Sequence, residues 1–215
     1  MSEAVTSRRR GRSTYRHGDL RRALLQAGIE LARRGGPDAV VLREATRRAG
    51  VVPNAAYRHF CSRDDLLQAV RAAALSALAV AMEKELAGLS RDQSAGQHAR
   101  NSLRAVGTGY LRFARTETGL FRTAFSIADD PETVDDPAMA GKSGLNPFQL
   151  LSAALDRMAE AGLLPIGRRP GAEYLAWSAV HGLAMLVIEG PLRGFAPAQF
   201  EAVGQRIIDM VEQGL

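Results

Sequence analysis

Asn54, Ala55, Tyr57, Arg58 and His59 crowd into six positions and bring together amide, methyl, phenol, guanidinium and imidazole groups. Small, hydrogen-bonding and cationic side chains on adjacent turns are what a helix needs to enter a major groove and meet base edges and phosphates. Their carrier is the stretch LREATRRAGVVPNAAYRHF, Leu42 to Phe60. It reads as a helix over Leu42 to Ala49, a tight turn at Gly50 and a second short helix opened by Pro53, the layout of a helix-turn-helix. Glycine suits the turn because a chain leaving a helix commonly passes through a left-handed conformation. Proline suits the first turn of the next helix, where its missing N–H is no loss.

Charge is concentrated in the same region. Residues 1–71 hold 15 Arg, no Lys and 7 acidic residues, a balance of +8, while the remainder balances at −3. The amino-terminal third is therefore the expected face for a polyanion, against the alternative of a solubilising surface. Residues 1–17 carry Arg8, Arg9, Arg10, Arg12 and Arg16 with little apolar periodicity and are expected to be a disordered basic arm. Such an arm can follow phosphates or reach a minor groove, or be a solvated tail.

The hydrophobic fraction is 46% with only 6% aromatic residues, so Ala, Leu, Val and Ile must build the core. Steps of three and four recur without sustained alternation, which predicts an all-α protein of about nine helices. Leu20, Leu24, Ala27 and Leu31 mark a first helix that begins near Asp19 and ends at Gly35-Gly36-Pro37. Ser62 followed by Asp65 resembles a capping box and starts a fourth helix at Arg63, running to about Leu89. The valines before Leu42 and Pro53, Val41 and Val52, leave two N-caps without the usual hydroxyl or carboxylate.

Further helices are expected over His98 to Thr116, over the apolar Leu120 to Ile127 after a break at Thr118-Gly119, and over Pro147 to Ala161, Ala172 to Glu189 and Pro197 to Gln213. The acidic, Pro- and Gly-rich residues 129–147 are expected to be mobile. Phe200, Val203, Ile207 and Met210 form a heptad-like seam in the last helix.

Catalysis and metal binding gain no positive support. Gly141-Lys142-Ser143 imitates the end of a P-loop, but the position that needs an earlier glycine is Asp136 and no strand precedes it. His17, His59, His98 and His181 are far apart in sequence, and no HExxH or G-x-S-x-G occurs. The single cysteine, Cys61, excludes an internal disulfide and is expected to be buried or half-buried beside Phe60 rather than to act as a redox switch. No apolar run approaches a bilayer span and the basic start lacks an apolar signal region, so a cytoplasmic protein is expected.

HGDLRRALLQAGIELARRGG followed by LREATRRAGVVPNAAYRHFCSRDDLLQAV resembles the DNA-binding region of the tetracycline-repressor (TetR) family of transcriptional regulators, over about residues 17–70. The resemblance implies a homodimer with a DNA-binding head and a ligand-binding, dimerising body, usually a repressor released from DNA by a small-molecule effector. By position it implies phosphate contact from Arg43 and Arg63. It also implies base or backbone contact from Asn54, Ala55, Tyr57 and His59, with Arg58 assisting. Departures from the family pattern are Val41, Val52 and Thr46. Tyr57 could instead pack its ring and offer only its hydroxyl, and His59 could be a surface residue. Phe60 is expected in the core.

Ala176 to Leu192, AWSAVHGLAMLVIEGPL, resembles the Trp-x-x-x-His-Gly segment of one carboxy-terminal subgroup of the family. The resemblance gives residues 18–62 as the DNA-binding domain and 63–215 as the helical ligand-binding and dimerisation domain. A pocket between the body helices would draw on Tyr110, Phe113, Phe121, Phe125, Trp177, His181 and Met185, although each could be ordinary core. The expected partners are a double-stranded, pseudo-palindromic DNA operator, a second copy of the chain and a small-molecule effector of unknown identity. No cofactor, metal or membrane is expected, and no enzyme activity. The alternative is a module of the same fold that binds a small molecule or protein and has lost specific DNA binding.

Overall fold

The computed structural model describes residues 17–127 and 136–215. The basic arm lies outside the described residues except for His17. Among those described there are nine α-helices and no strand, in agreement with the expected all-α class.

Helix α1 (His17–Gly35), α2 (Leu42–Arg48) and α3 (Pro53–Ala56) form the amino-terminal unit. Leu20, Leu24, Ala27 and Leu31 are all buried, as their spacing predicts. Phe60 is buried beside them, with the Arg21 guanidinium 5.2 Å from the centre of its ring. Gly50 sits at φ 68°, the left-handed turn that the sequence requires. Thr46 is buried, and its hydroxyl donates to the Leu42 carbonyl at 2.6 Å, so this buried polar side chain has its own partner.

Helix α4 (Arg63–Ala87) runs from this unit into the body and packs against α1, α5 (Ala95–Thr116), α6 (Thr118–Ala124) and α7 (Pro147–Glu160). Its start is capped by the Ser62 hydroxyl, which accepts the Asp65 N–H at 3.0 Å. The Asp65 carboxylate reaches back one residue further than a capping box does, accepting from the Cys61 N–H at 2.9 Å. Contrary to the sequence expectation, α4 is by length and composition apolar enough to cross a membrane. Its apolar window is 56% buried inside the protein, on both sides of the helix, as befits a core helix wrapped by others.

Helices α8 (Ala172–Ile188) and α9 (Pro197–Gly214) complete the body. The expected α9 seam is rotated: Phe200, Gly204 and Ile208 face the core, whereas Met210 is 60% exposed. The cause is Gly204, whose missing side chain lets α9 approach α5, since a Cβ there would lie 2.9 Å from Leu111 Cδ1. Arg104 on α5 closes the same crossing with contacts of 2.6 Å to Asp209 and 2.5 Å to Glu212.

Two boundaries join the amino-terminal unit to the body. Helix α5 ends at Thr116, as expected, but the break falls on Glu117 and Thr118-Gly119 opens α6; a side chain at Gly119 would strike the backbone carbonyls of Ala32 and Arg33 at the end of α1. Arg33 and Glu117 pair across this junction at 2.7 Å, and Arg122 on α6 pairs with Glu189 after α8 at 2.7 Å.

Part of the stretch expected to be mobile, residues 129–135, lies outside the described residues. The rest is ordered: a 3₁₀ turn at Pro137–Met139 buries Met139. The following turn wraps the Glu83 carboxylate of α4, which accepts from the Lys142 N–H (2.9 Å), the Ser143 N–H (2.8 Å) and the Ser143 hydroxyl (2.5 Å). Burial would raise the Glu83 pKa, but the bonds from Ser143 and Lys142 outweigh it and hold the carboxyl below its ordinary value.

Candidate nucleic-acid interface and ligand cavity

Around the helix-turn-helix, the structure shortens the presenting helix. Only Pro53–Ala56 is helical; Tyr57, Arg58 and His59 form the turn that follows, closed by the His59 and Phe60 N–H groups on the Ala56 carbonyl at 2.9 and 3.0 Å. Val52 and Val41 are 68% and 43% exposed, and Val41 supplies no side-chain cap to α2. With Val52 offering no polar side-chain atom, α3 has little beyond its single turn to hold it.

Arg43, Asn54, Tyr57 and Arg58 are exposed, Tyr57 by 56%, whereas Ala55 and His59 are half-buried. Arg43 and Arg58 make no ion pair among the described residues, so both guanidinium groups face solvent uncommitted. Arg47 and Arg48 are differently placed: both hold Glu44, whose carboxyl is brought down to about 2 by the Arg47 hydrogen bond first and the Arg48 bond second. Arg63 is exposed but donates through Nε to the Val40 carbonyl and through Nη2 to the Pro37 carbonyl, each at 2.9 Å. It thereby fastens the chain that enters α2. Cys61 is exposed, neither buried nor half-buried as expected, and its backbone N–H is held by the Asp65 carboxylate at the start of α4.

A partly open cavity of about 420 Å³ lies between α4, α5, α7, α8 and α9. Tyr110, Phe125, Trp177 and His181 line it, as the sequence suggested. Phe113, Phe121 and Met185 do not. Phe121 is fully buried behind the wall, its ring edge-on to Tyr110 at 5.4 Å, and Phe113 is buried in the core elsewhere. Met185 is half-buried against the core.

Several lining residues carried no signal in the sequence. Arg71 on α4 is buried, with its Nε–H on the Ala124 carbonyl at 3.1 Å. Asn146 caps α7 in a reciprocal box with Gln149 and lines the cavity. Met139 and Phe148 come from the segment expected to be mobile and the helix start that follows it. Aromatic size identified candidates; the register of each helix decided which ones face inward.

The polar centre of the cavity is a chain of three side chains. Trp177 Nε1–H donates to the Tyr110 oxygen at 3.0 Å, and that oxygen lies 2.7 Å from His181 Nδ1. Burial pushes the Tyr110 hydroxyl pKa far up and the His181 pKa down, so both are neutral near pH 7. Phe125 meets the His181 ring edge-on at 4.9 Å and the Trp177 ring at 5.9 Å. Nothing here assembles a nucleophile with a base and an oriented carboxylate, and no group of three metal-binding side chains occurs among the described residues. The arrangement is suited to holding a molecule.

Comparison with known proteins points the same way. Residues 24–70 match the family described as bacterial regulatory proteins, tetR family, and residues 103–211 match the tetracyclin repressor-like, C-terminal domain. A protein of unknown function from Rhodococcus sp. RHA1 superposes with a TM-score of 0.73 at 25% identity, covering 95% of this chain and 99% of that one. The TetR family transcriptional regulator PfmR from Thermus thermophilus superposes with a TM-score of 0.57 at 22% identity over 89% and 95% of the two chains, a likeness of fold. No curated protein matches the sequence. With the carboxy-terminal match alone spanning half of its length and the amino-terminal match falling on the helix-turn-helix, the chain belongs to the tetracycline-repressor family of DNA-binding transcriptional regulators.

Proposed function

We propose that the protein is a homodimeric repressor that reads a pseudo-palindromic operator and is released from it by a small molecule bound in the body cavity. The observation that carries this reading is the cavity of about 420 Å³, which shares the single helix α4 with the helix-turn-helix. A tilt of α4 on filling the cavity would move the head. Arg43 and Arg58 supply phosphate contacts, and Arg63 adds its charge while holding the entry to α2. Asn54, Ala55, Tyr57 and His59 meet base edges or the backbone. Residues 18–62 serve as the DNA-binding domain and 63–215 as the ligand-binding and dimerisation domain; Trp177, His181 and Gly182 support reading the latter as one of the Trp-x-x-x-His-Gly subgroup.

The dimer face is drawn from α8 and α9. Leu175 is 66% exposed, Leu186 and Met210 are also exposed, and Gly182 has open space where a side chain would be. Leu175, Gly182 and Leu186 follow steps of seven and four along α8, the spacing of a helix seam awaiting a partner. Two heads joined this way read half-sites about 34–36 Å apart if they match one turn of DNA. The reading places the protein in the cytoplasm with DNA and gives it no catalytic role.

Selection of bound genomic fragments, followed by gel-shift titration at several salt concentrations, tests the proposal. A preferred palindromic sequence is expected, with affinity falling steeply as salt rises. A second reading, a ligand- or partner-binding module without specific DNA recognition, is favoured by the uncapped Val41 and Val52 and the single-turn α3. It prevails if no fragment is enriched while the cavity still binds small molecules.

A further inference from the structure

The hydrogen-bond chain in the cavity has a direction fixed by what its members can donate. Trp177 Nε1–H is a donor only, and its acceptor is the Tyr110 oxygen. The Tyr110 hydrogen then has one acceptor, His181 Nδ1 at 2.7 Å, and a buried hydroxyl that failed to donate would leave an unmet donor in the interior. Nδ1 therefore accepts, so the neutral imidazole carries its proton on Nε2. Burial supports the neutral ring. Nε2 has no hydrogen-bond partner among the described residues, and the ring lines the cavity. The remaining surface is mostly apolar, with Leu75, Val106, Phe125, Phe148 and Ile208 among its walls. A charged ligand would shed its hydration against them; Arg71 gives its Nε–H to the Ala124 carbonyl, and an anionic probe tests whether its other N–H groups draw a carboxylate instead.

Resting on the reading of this cavity as an effector site, we infer that it takes a neutral, largely apolar molecule whose single important polar feature is an oxygen acceptor placed to receive the His181 Nε2–H. Phe125, Phe148 and Trp177 favour an aromatic body for that molecule, since flat rings meet their faces and edges well.

Three probes separate the possibilities on the full chain: benzophenone, its acceptor-less analogue diphenylmethane, and the anionic 2-benzoylbenzoate. Affinities are measured by calorimetry. Trp177, the chain's single tryptophan, reports occupancy of this cavity by its emission. Benzophenone is expected to bind about threefold to tenfold more tightly than diphenylmethane, the range of one ordinary hydrogen bond, and 2-benzoylbenzoate most weakly. His181→Phe should keep diphenylmethane binding and reduce the preference for benzophenone to less than about twofold. Tyr110→Phe retains the histidine but frees Nδ1 from its donor, and should also shrink the preference.

Equal binding of benzophenone and diphenylmethane, tightest binding of 2-benzoylbenzoate, a preference that survives His181→Phe or Tyr110→Phe, or no binding of any probe overturns the inference. If 2-benzoylbenzoate binds best and releases DNA, the effector reading stands without it. If benzophenone is preferred as expected and no saturating probe of any kind alters the gel shift, the ligand chemistry stands and the effector reading fails.

Discussion

Replacing Gly119 by alanine tests whether the junction between head and body is as tight as the structure makes it. A Cβ at this position would run into the carbonyl oxygens of Ala32 and Arg33, and both obstacles are backbone at the end of α1. Neither can rotate away as a side chain would, so α6 must shift from α1. Overpacking of this kind costs about 1–3 kcal/mol. Alanine returns up to about 1 kcal/mol of helix propensity, less so close early in a helix, leaving a net loss of about 1–2 kcal/mol. For a chain of this size that lowers Tm by about 2–8 °C in a thermal melt followed by circular dichroism. Gly96→Ala is the matched control. It also lies early in a helix, but its Cβ would meet only Leu163 Cδ1 at 3.8 Å, an ordinary contact, so it should be neutral or slightly stabilising. The reasoning is refuted if Gly119→Ala melts at or above the wild type while Gly96→Ala behaves as stated. A gel shift on the same variant should show altered affinity, because shifting α6 from α1 pulls on the Arg33–Glu117 pair that joins the head to the body.

Other expectations concern single sites. Arg43→Ala and Tyr57→Ala should weaken gel-shift binding with little change in Tm, and Arg43→Ala should lower the salt slope by about 1. Arg63→Ala should instead lower Tm by a few degrees in the absence of DNA, since it removes charged donors from the Val40 and Pro37 carbonyls worth roughly 1 kcal/mol each at an exposed site. Leu175→Arg combined with Leu186→Arg should yield a monomer by sedimentation if α8 forms the dimer seam. Because the folded His181 pKa lies below its unfolded value, the unfolded chain binds more protons between the two. This contribution is fully present above about pH 6.5 and is lost as pH falls from there toward the folded pKa. Denaturant melts from pH 7 to 5 should show that slope reduced in His181→Phe.

Residues with local partners were legible in sequence, and those with distant partners were not. The α1 stripe, the Gly50 turn and the Ser62 cap follow from spacing or from neighbours three or four residues away. The end of α3 escaped because nothing nearby opposed continuing it; the His59 and Phe60 N–H groups both close on the Ala56 carbonyl, and Phe60 is buried in the core. The rotation of α9 escaped because it depends on Gly204 meeting Leu111, ninety-three positions earlier. In the cavity, Tyr110, Trp177 and His181 were found by chemistry and one-turn spacing, whereas Arg71, Met139 and Asn146 reach it through the packing of α4 and the turn beside it.

The turn at Gly141-Lys142-Ser143 is built like an anion receptor whose seat is already taken. Its two backbone N–H groups and hydroxyl point as they would at the oxygens of a phosphate, but the two oxygens of the Glu83 carboxylate are there instead. A carboxylate tethered on a rigid helix acts at an effective concentration of the order of millimolar or higher, so dilute free anions compete poorly for the place. Gly141 makes the exclusion reciprocal, since a side chain there would fall on the same carboxylate. The anion-binding turn thus works as an internal latch, tying the segment that supplies Met139 and Asn146 to the helix that leads to the DNA-binding head.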